Sequence, residues 1–265
     1  MVFLGWRRLL PFCGRASFRK DLKQKQRGCL VWRYYRGRTS GRLVDPELRK
    51  FLEQNTEIID SGNLTPEIRL RLLTPNCRFW HDKAALWPYG EPYWAMYWPG
   101  GQGLSRYLLD NPRVVQKKKI LDLGSGCGAT AIAATLSGAS QVVANDTDPV
   151  AAAAMVLNCE LNNIDPIPVL TENLIGTDIA KWDLIVLGDM FYSEELADSL
   201  SAWLKTCIQD DKTELLIGDP GRPYFVTNQI QRMLHKVSEY TLPKSSLEEY
   251  EYNGSTKTVI WNYQP

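Results

Sequence analysis

Three carboxylates, each at the end of an apolar run, and three alternating glycines are the residues best equipped for chemistry. They are Asp122, Asp146 and Asp189, with Gly124, Gly126 and Gly128. Residues 120–130 read ILDLGSGCGAT, an acid and a glycine loop between an apolar strand and an alanine-rich stretch. Glycines without a Cβ let the backbone turn sharply and approach a ligand closely. The alanine-rich stretch 129–136 predicts a helix whose N-terminus faces that ligand.

The loop alone leaves two cofactors open, because Gly124, Gly126 and Ala129 also satisfy the pattern of a dinucleotide-binding turn. A nicotinamide oxidoreductase is therefore one reading. Asp122 points elsewhere: two residues before the first glycine, its charge would meet the cationic amino-acid end of S-adenosylmethionine, but would oppose a pyrophosphate. Asp146, 22 residues after Gly124, can accept both ribose hydroxyls of either cofactor. The Asp189-Met190-Phe191-Tyr192 element after the apolar run 184–187 has no evident use in a dehydrogenase.

The glycine loop, Asp146, Asp189-x-x-Tyr192 and the upstream Trp98-Pro99-Gly100-Gly101 together resemble the family 16 seven-strand protein methyltransferases, most of which act on lysine. Within that group the likeness is to members that methylate the beta subunit of mitochondrial electron transfer flavoprotein. LGDMFY at 187–192, IGDPGRP at 217–223 and EPYWAMYWPGGQGLSRYLL at 91–109 carry it. The resemblance covers roughly residues 43–265 and implies an α/β class I S-adenosylmethionine-dependent methyltransferase fold, Rossmann-like, with sheet order 3-2-1-4-5-7-6 and strand 7 antiparallel. It also implies S-adenosylmethionine as cofactor, S-adenosylhomocysteine as product and a protein-lysine substrate.

On that reading Trp98, Asp122, Gly124, Gly126, Gly128, Asp146, Asn173 and Asp189 surround the cofactor, and Asp189 and Tyr192 serve the acceptor amine. Methyl transfer from a sulfonium needs a neutral amine in line, so alignment carries much of the acceleration. A carboxylate stabilises an ammonium, which suits Asp189 to positioning the amine rather than deprotonating it. A cap on a helix beginning near Ser193 is its alternative role. Asn173, with Glu172, follows the third strand where adenine is held in the family, or else forms a turn. Asp219-Pro220-Gly221-Arg222 is explained by a turn, with Arg222 meeting either Asp219 or an acidic feature of the substrate.

These side chains need a frame. Short apolar runs alternate with helical patterns, predicting a parallel sheet covered on both faces. Strands are expected at 119–123, 141–144, 167–170, 182–187 and 214–217, and helices at 149–162 and 195–208. A helix around 227–235 should precede a hairpin of 236–242 and 256–262 with Asn253-Gly254 in its connection. Residues 39–110 form an N-terminal extension on a core of 111–265. In it, 45–54 reads as a helix and 68–73 as a strand. The rings crowded between Trp80 and Trp98 are expected mainly to pack a lid, with Trp98 excepted.

Residues 1–38 hold 11 of the 31 Lys and Arg but one acid, Asp21, leaving 20 basic and 29 acidic residues, a formal charge of minus 9, on the remainder. Such an arginine-rich leader, interleaved with Leu, Phe and Trp, reads as a mitochondrial transit peptide and points to the matrix; a basic arm that stays attached is the alternative. The acidic body suits a basic, lysine-bearing partner, and nucleic acid is not expected. RNA methylation also lacks its usual Asn/Asp-Pro-Pro-Tyr signature. No apolar run approaches the 18 residues of a membrane span. Six scattered cysteines without a C-x-x-C pair, and two histidines, give no metal site. Cys127 reads as a small loop residue rather than a nucleophile.

Overall fold

The computed structural model describes residues 43–81, 87–177, 182–211, 213–244 and 256–263. The leader and Asn253-Gly254 lie outside them.

Four apolar runs become neighbouring parallel strands: β3 (Lys119–Leu123), β4 (Gln141–Asn145), β6 (Leu184–Gly188) and β7 (Glu214–Asp219). A short β5 (Val169–Leu170) joins beyond β4, while β8 (His235–Thr241) and β9 (Lys257–Tyr263) complete the other edge. The order β5-β4-β3-β6-β7-β9-β8, with β9 antiparallel to both neighbours, is the expected 3-2-1-4-5-7-6. In β8, the outermost strand, Lys236 pairs with Glu239, which also meets Lys257 of β9; such charges discourage pairing with another chain.

Alternation along the strands divides the core in two. Ile120, Val142, Leu184, Val186 and Leu216 share one cluster with α2 (Pro99–Asp110), α3 (Ala129–Leu136) and α4 (Pro149–Leu161). Leu121, Val143, Ile185, Leu187 and Ile217 face Leu200, Trp203 and Leu204 of α5 (Glu194–Asp211). The four central parallel strands β3, β4, β6 and β7 are thus buried on both faces, the reason their sequences read as apolar runs. Capping starts α4 where the sequence placed it: Pro149 occupies the first turn and Asp148 accepts the Val150 N–H at 2.8 Å.

The extension contributes α1 (Pro46–Asn55), capped by Asp45, and a two-stranded sheet of β1 (Glu57–Ile59) and β2 (Leu70–Leu72). Leu52, Trp80, Trp87 and Trp94 pack with Val150, Ala154 and Leu157 on the outer side of α4. Phe51 stacks edge-on against Trp87 at 5.2 Å and Tyr89 at 4.9 Å, so much of the aromatic run is packing.

Beyond shifts of one to three residues at the ends of other elements, three expectations differ from the structure. The helix around 227–235 is instead a single turn, α6 (Pro223–Val226), and a 3-10 turn, Gln229–Met233. Asn228 separates them, accepting the Ile230 N–H at 3.0 Å and the Ser201 hydroxyl at 2.8 Å. The strand at 167–170 shrinks to two residues because Pro166 and Pro168 cannot donate to the sheet. The strand at 68–73 loses its ends, Ile68 N–H bonding Thr65 and Leu73 N–H bonding Ala95. Among the described residues no helix is long and apolar enough to cross a membrane, and no cluster of metal-binding side chains occurs.

Candidate active site

Parallel registration brings the ends of β3, β4 and β6 side by side, Asp122 opposite Ala144 and Val186. The loops leaving those ends carry Gly124, Asp146 and Asp189. The crevice therefore lies at the carboxyl edge of the sheet, where open α/β sheets bind ligands.

The three loop glycines all have positive φ, at +67°, +51° and +81° for Gly124, Gly126 and Gly128. Their surroundings differ. A Cβ at Gly124 would collide with the Met190 side chain, and one at Gly128 with Cγ of Met155 at 2.6 Å, so a side chain at either would have to displace a methionine. A Cβ at Gly126 would meet only Trp94 backbone at 3.7 Å or more, leaving its backbone conformation as the constraint.

Two carboxylates flank this loop. Asp146 accepts Gly126 N–H and Asp148 N–H, each at 2.9 Å, which fixes its orientation while leaving acceptor capacity. Burial is the main cause that raises its pKa. Asp122 is only 2% exposed, and its Oδ2 has no hydrogen-bond partner among the described residues. Burial, with a smaller contribution from the Asp146 charge, pushes its pKa from 3.8 up to about 8. An orphaned buried carboxylate oxygen awaits a cation or donor, which fits the ammonium of S-adenosylmethionine. Asp146, with two oriented oxygens, fits the ribose diol.

Asp189 occupies the left-handed region at φ 59°. Its Oδ2 accepts the Gly100 N–H and, at 3.2 Å, the Gly101 N–H in the first turn of α2. Its Oδ1 receives Nε of Arg222 at 3.0 Å and Nη2 at 2.7 Å. It thus caps a helix, but α2 rather than α5. Ser193 sits before α5 and accepts the Leu196 N–H at 3.4 Å. Glycines make the approach feasible: Gly188 and Gly218 are register partners, and side chains at either would run into the backbone of residues 100–101.

Arg222 therefore pairs with Asp189, while its backbone N–H and that of Gly221 each bond Asp219 Oδ1 at 2.7 Å. Asp219 is fully buried, and burial followed by the nearby Asp189 charge pushes it from 3.8 up to about 7. The Arg222 guanidinium carbon also lies 5.8 Å from the Trp98 ring centre, whose Nε1 donates to the Tyr93 carbonyl at 3.0 Å. Trp98, Asp189 and Arg222 form one assembly.

Tyr192 is 52% exposed on the rim, whereas its neighbour Phe191 turns inward against Phe225 at 5.0 Å. Asn173 is exposed, and its Oδ1 accepts the Ile175 N–H at 3.0 Å in a local turn. Cys127 is buried, which pushes its thiol up to about 12, far from a nucleophilic thiolate. Sequence reasoning missed two buried asparagines. Asn145 donates to Leu170 and Glu172 carbonyls at 2.8 and 2.9 Å, holding the segment that leads to Asn173. Asn158 donates to the Cys127 carbonyl at 2.8 Å from the last turn of α4. Nothing in their local sequence distinguishes them from other helix or strand-end amides.

Comparison with known proteins adds to this geometry. Residues 104–200 match the family model described as Ribosomal protein L11 methyltransferase (PrmA). The chain is 54% identical to the electron transfer flavoprotein beta subunit lysine methyltransferase of Homo sapiens, an alignment covering 99% of this chain and 98% of that protein. Its identity to the Danio rerio protein of the same name is 52%, covering 97% of each. A putative S-adenosylmethionine-dependent methyltransferase structure from Streptococcus mutans superposes with TM-score 0.51 at 11% identity, covering 78% of this chain and 55% of that one, a likeness of fold.

Proposed function

The chain belongs to the electron transfer flavoprotein beta subunit lysine methyltransferases, and on that premise we propose that this same flavoprotein subunit, in the mitochondrial matrix, is its substrate. The chain is an S-adenosylmethionine-dependent protein-lysine N-methyltransferase. The observation that carries the substrate proposal is 54% identity sustained over 98% of the human relative. The arginine-rich leader supports the matrix reading.

S-adenosylmethionine supplies a methyl group on a sulfonium. Asp122 would hold its ammonium end and Asp146 its ribose hydroxyls, with the 124–128 loop against it. The chain's task is then to bring a neutral amine into line. A lysine has a reference pKa of about 10.4, and withdrawal from water favours its neutral form. Asp189, immobilised by α2 and Arg222, and Trp98, locked by Tyr93, are rigid walls for an acceptor slot whose rim is Tyr192. Rigid placement lowers the entropic cost of alignment. The amine proton passes to water.

The test is incubation of the full chain with labelled S-adenosylmethionine and a matrix extract containing the flavoprotein, with the labelled residue located by mass spectrometry. Labelling of beta-subunit lysines is expected. Label confined to other proteins overturns the substrate assignment.

A further inference from the structure

Asp189 enters the slot with a neutralising partner already attached. The Asp189 and Arg222 side chains are 5% and 10% exposed, and Nη2 lies 2.7 Å from Oδ1. Asp219 holds the backbone of residue 222, and Trp98 lies beneath the guanidinium. At an amine a few ångströms away, such a pair acts as a dipole rather than as a full negative charge.

We propose that Arg222 is a positioning residue for the methyl-accepting lysine, cancelling the Asp189 charge so that the amine sheds its proton more readily than it would beside an unpaired carboxylate. The inference rests on the lysine methyltransferase reading, with the acceptor slot beside Asp189. An uncompensated carboxylate would favour the ammonium, which has no lone pair for the methyl group. The other charged groups are identifiable. Asp219 approaches from β7. The first turn of α2 brings backbone N–H donors and no acid, Asp122 lies at the end of β3, and Glu194 and Glu195 are exposed at the start of α5. Among the described residues, Arg222 is the cation that meets Asp189 directly.

The experiment follows kcat against pH for lysine methylation, with S-adenosylhomocysteine affinity measured by calorimetry. In Arg222→Gln the rising limb should move to higher pH by about one unit, a tenfold loss on the acid side, with cofactor affinity unchanged. Arg222→Lys keeps the charge but loses the fork, and its limb should stay in place. Asp189→Asn combined with Arg222→Gln removes both charges and should return the limb toward wild type. A limb unmoved in Arg222→Gln, or an equal loss at every pH, overturns the proposal. If Arg222→Gln does not fold, an alkaline shift in Arg222→Lys overturns it instead. Failure of the function reading is seen separately, as absence of lysine labelling by the wild-type chain.

Discussion

Asn158 and Cys127 are joined by a 2.8 Å bond from the asparagine amide to the loop carbonyl, and the same asparagine accepts the Arg71 N–H at 2.8 Å. One fully buried side chain thus fastens the glycine loop to β2. Asn158→Leu, similar in branching but unable to bond either partner, should lower unfolding stability by about 2–4 kcal/mol, since buried groups left unsatisfied cost about 1–3 kcal/mol each. Urea denaturation measures this. Calorimetry should show weaker S-adenosylhomocysteine binding, and an unchanged midpoint would remove the asparagine from this role.

Asp122 and Asp219 give the cofactor-free protein a pH signature. Their folded pKa values, about 8 and about 7, stand above the ordinary 3.8, so the folded chain retains protons that the unfolded chain has released. Stability therefore falls as pH rises from about 4 toward about 8. Asp122→Asn removes its share of that penalty. At pH 8 the ligand-free variant should melt at least about 3 °C above wild type, the gap narrowing toward pH 4. Saturating S-adenosylhomocysteine should reverse the ranking by stabilising wild type alone. Equal melting curves across that range would refute the assignment.

The contact between α2 and the sheet sets a third expectation. A methyl at Gly218 would meet Gly100 backbone and the Leu104 side chain. Gly218→Ala should cost about 1–3 kcal/mol by overpacking. By moving the first turn of α2 away from Asp189, it should also depress methyl transfer more than cofactor affinity. A variant with full transfer activity would show that the fit is looser than the geometry requires.

The two outer carboxylates should separate binding from transfer. Asp146→Ala is expected to abolish S-adenosylhomocysteine binding in calorimetry. Asp189→Asn should keep that affinity yet lose about a hundredfold in methylation rate, the scale on which small misplacements act. Wild-type turnover by the second variant would take Asp189 out of the acceptor slot.

Much of this frame is legible from sequence because its signals are local. Strand and helix periods, the Asp148-Pro149 start of α4 and the alternation in β9 each lie within a few residues, and the motif resemblance supplied the strand order. Long-range partnerships were not legible. Asp189 caps α2 through the N–H of Gly100, 89 residues earlier in the chain, a bond no window of sequence contains. Arg222 looked equally suited to Asp219, and only packing shows that Asp219 takes its backbone while Asp189 takes its guanidinium. The break at Asn228 has the same origin, since Ser201 of α5 holds it.

The thiol inside the cofactor loop offers an internal clock. Cys127 is sealed from solvent and held protonated, so a thiol-directed reagent can react with it only after the surrounding structure parts. Its alkylation rate, read at that residue by mass spectrometry, times the opening of the loop. A bound ligand that clamps the loop would slow the clock, giving a measure of occupancy that requires no turnover.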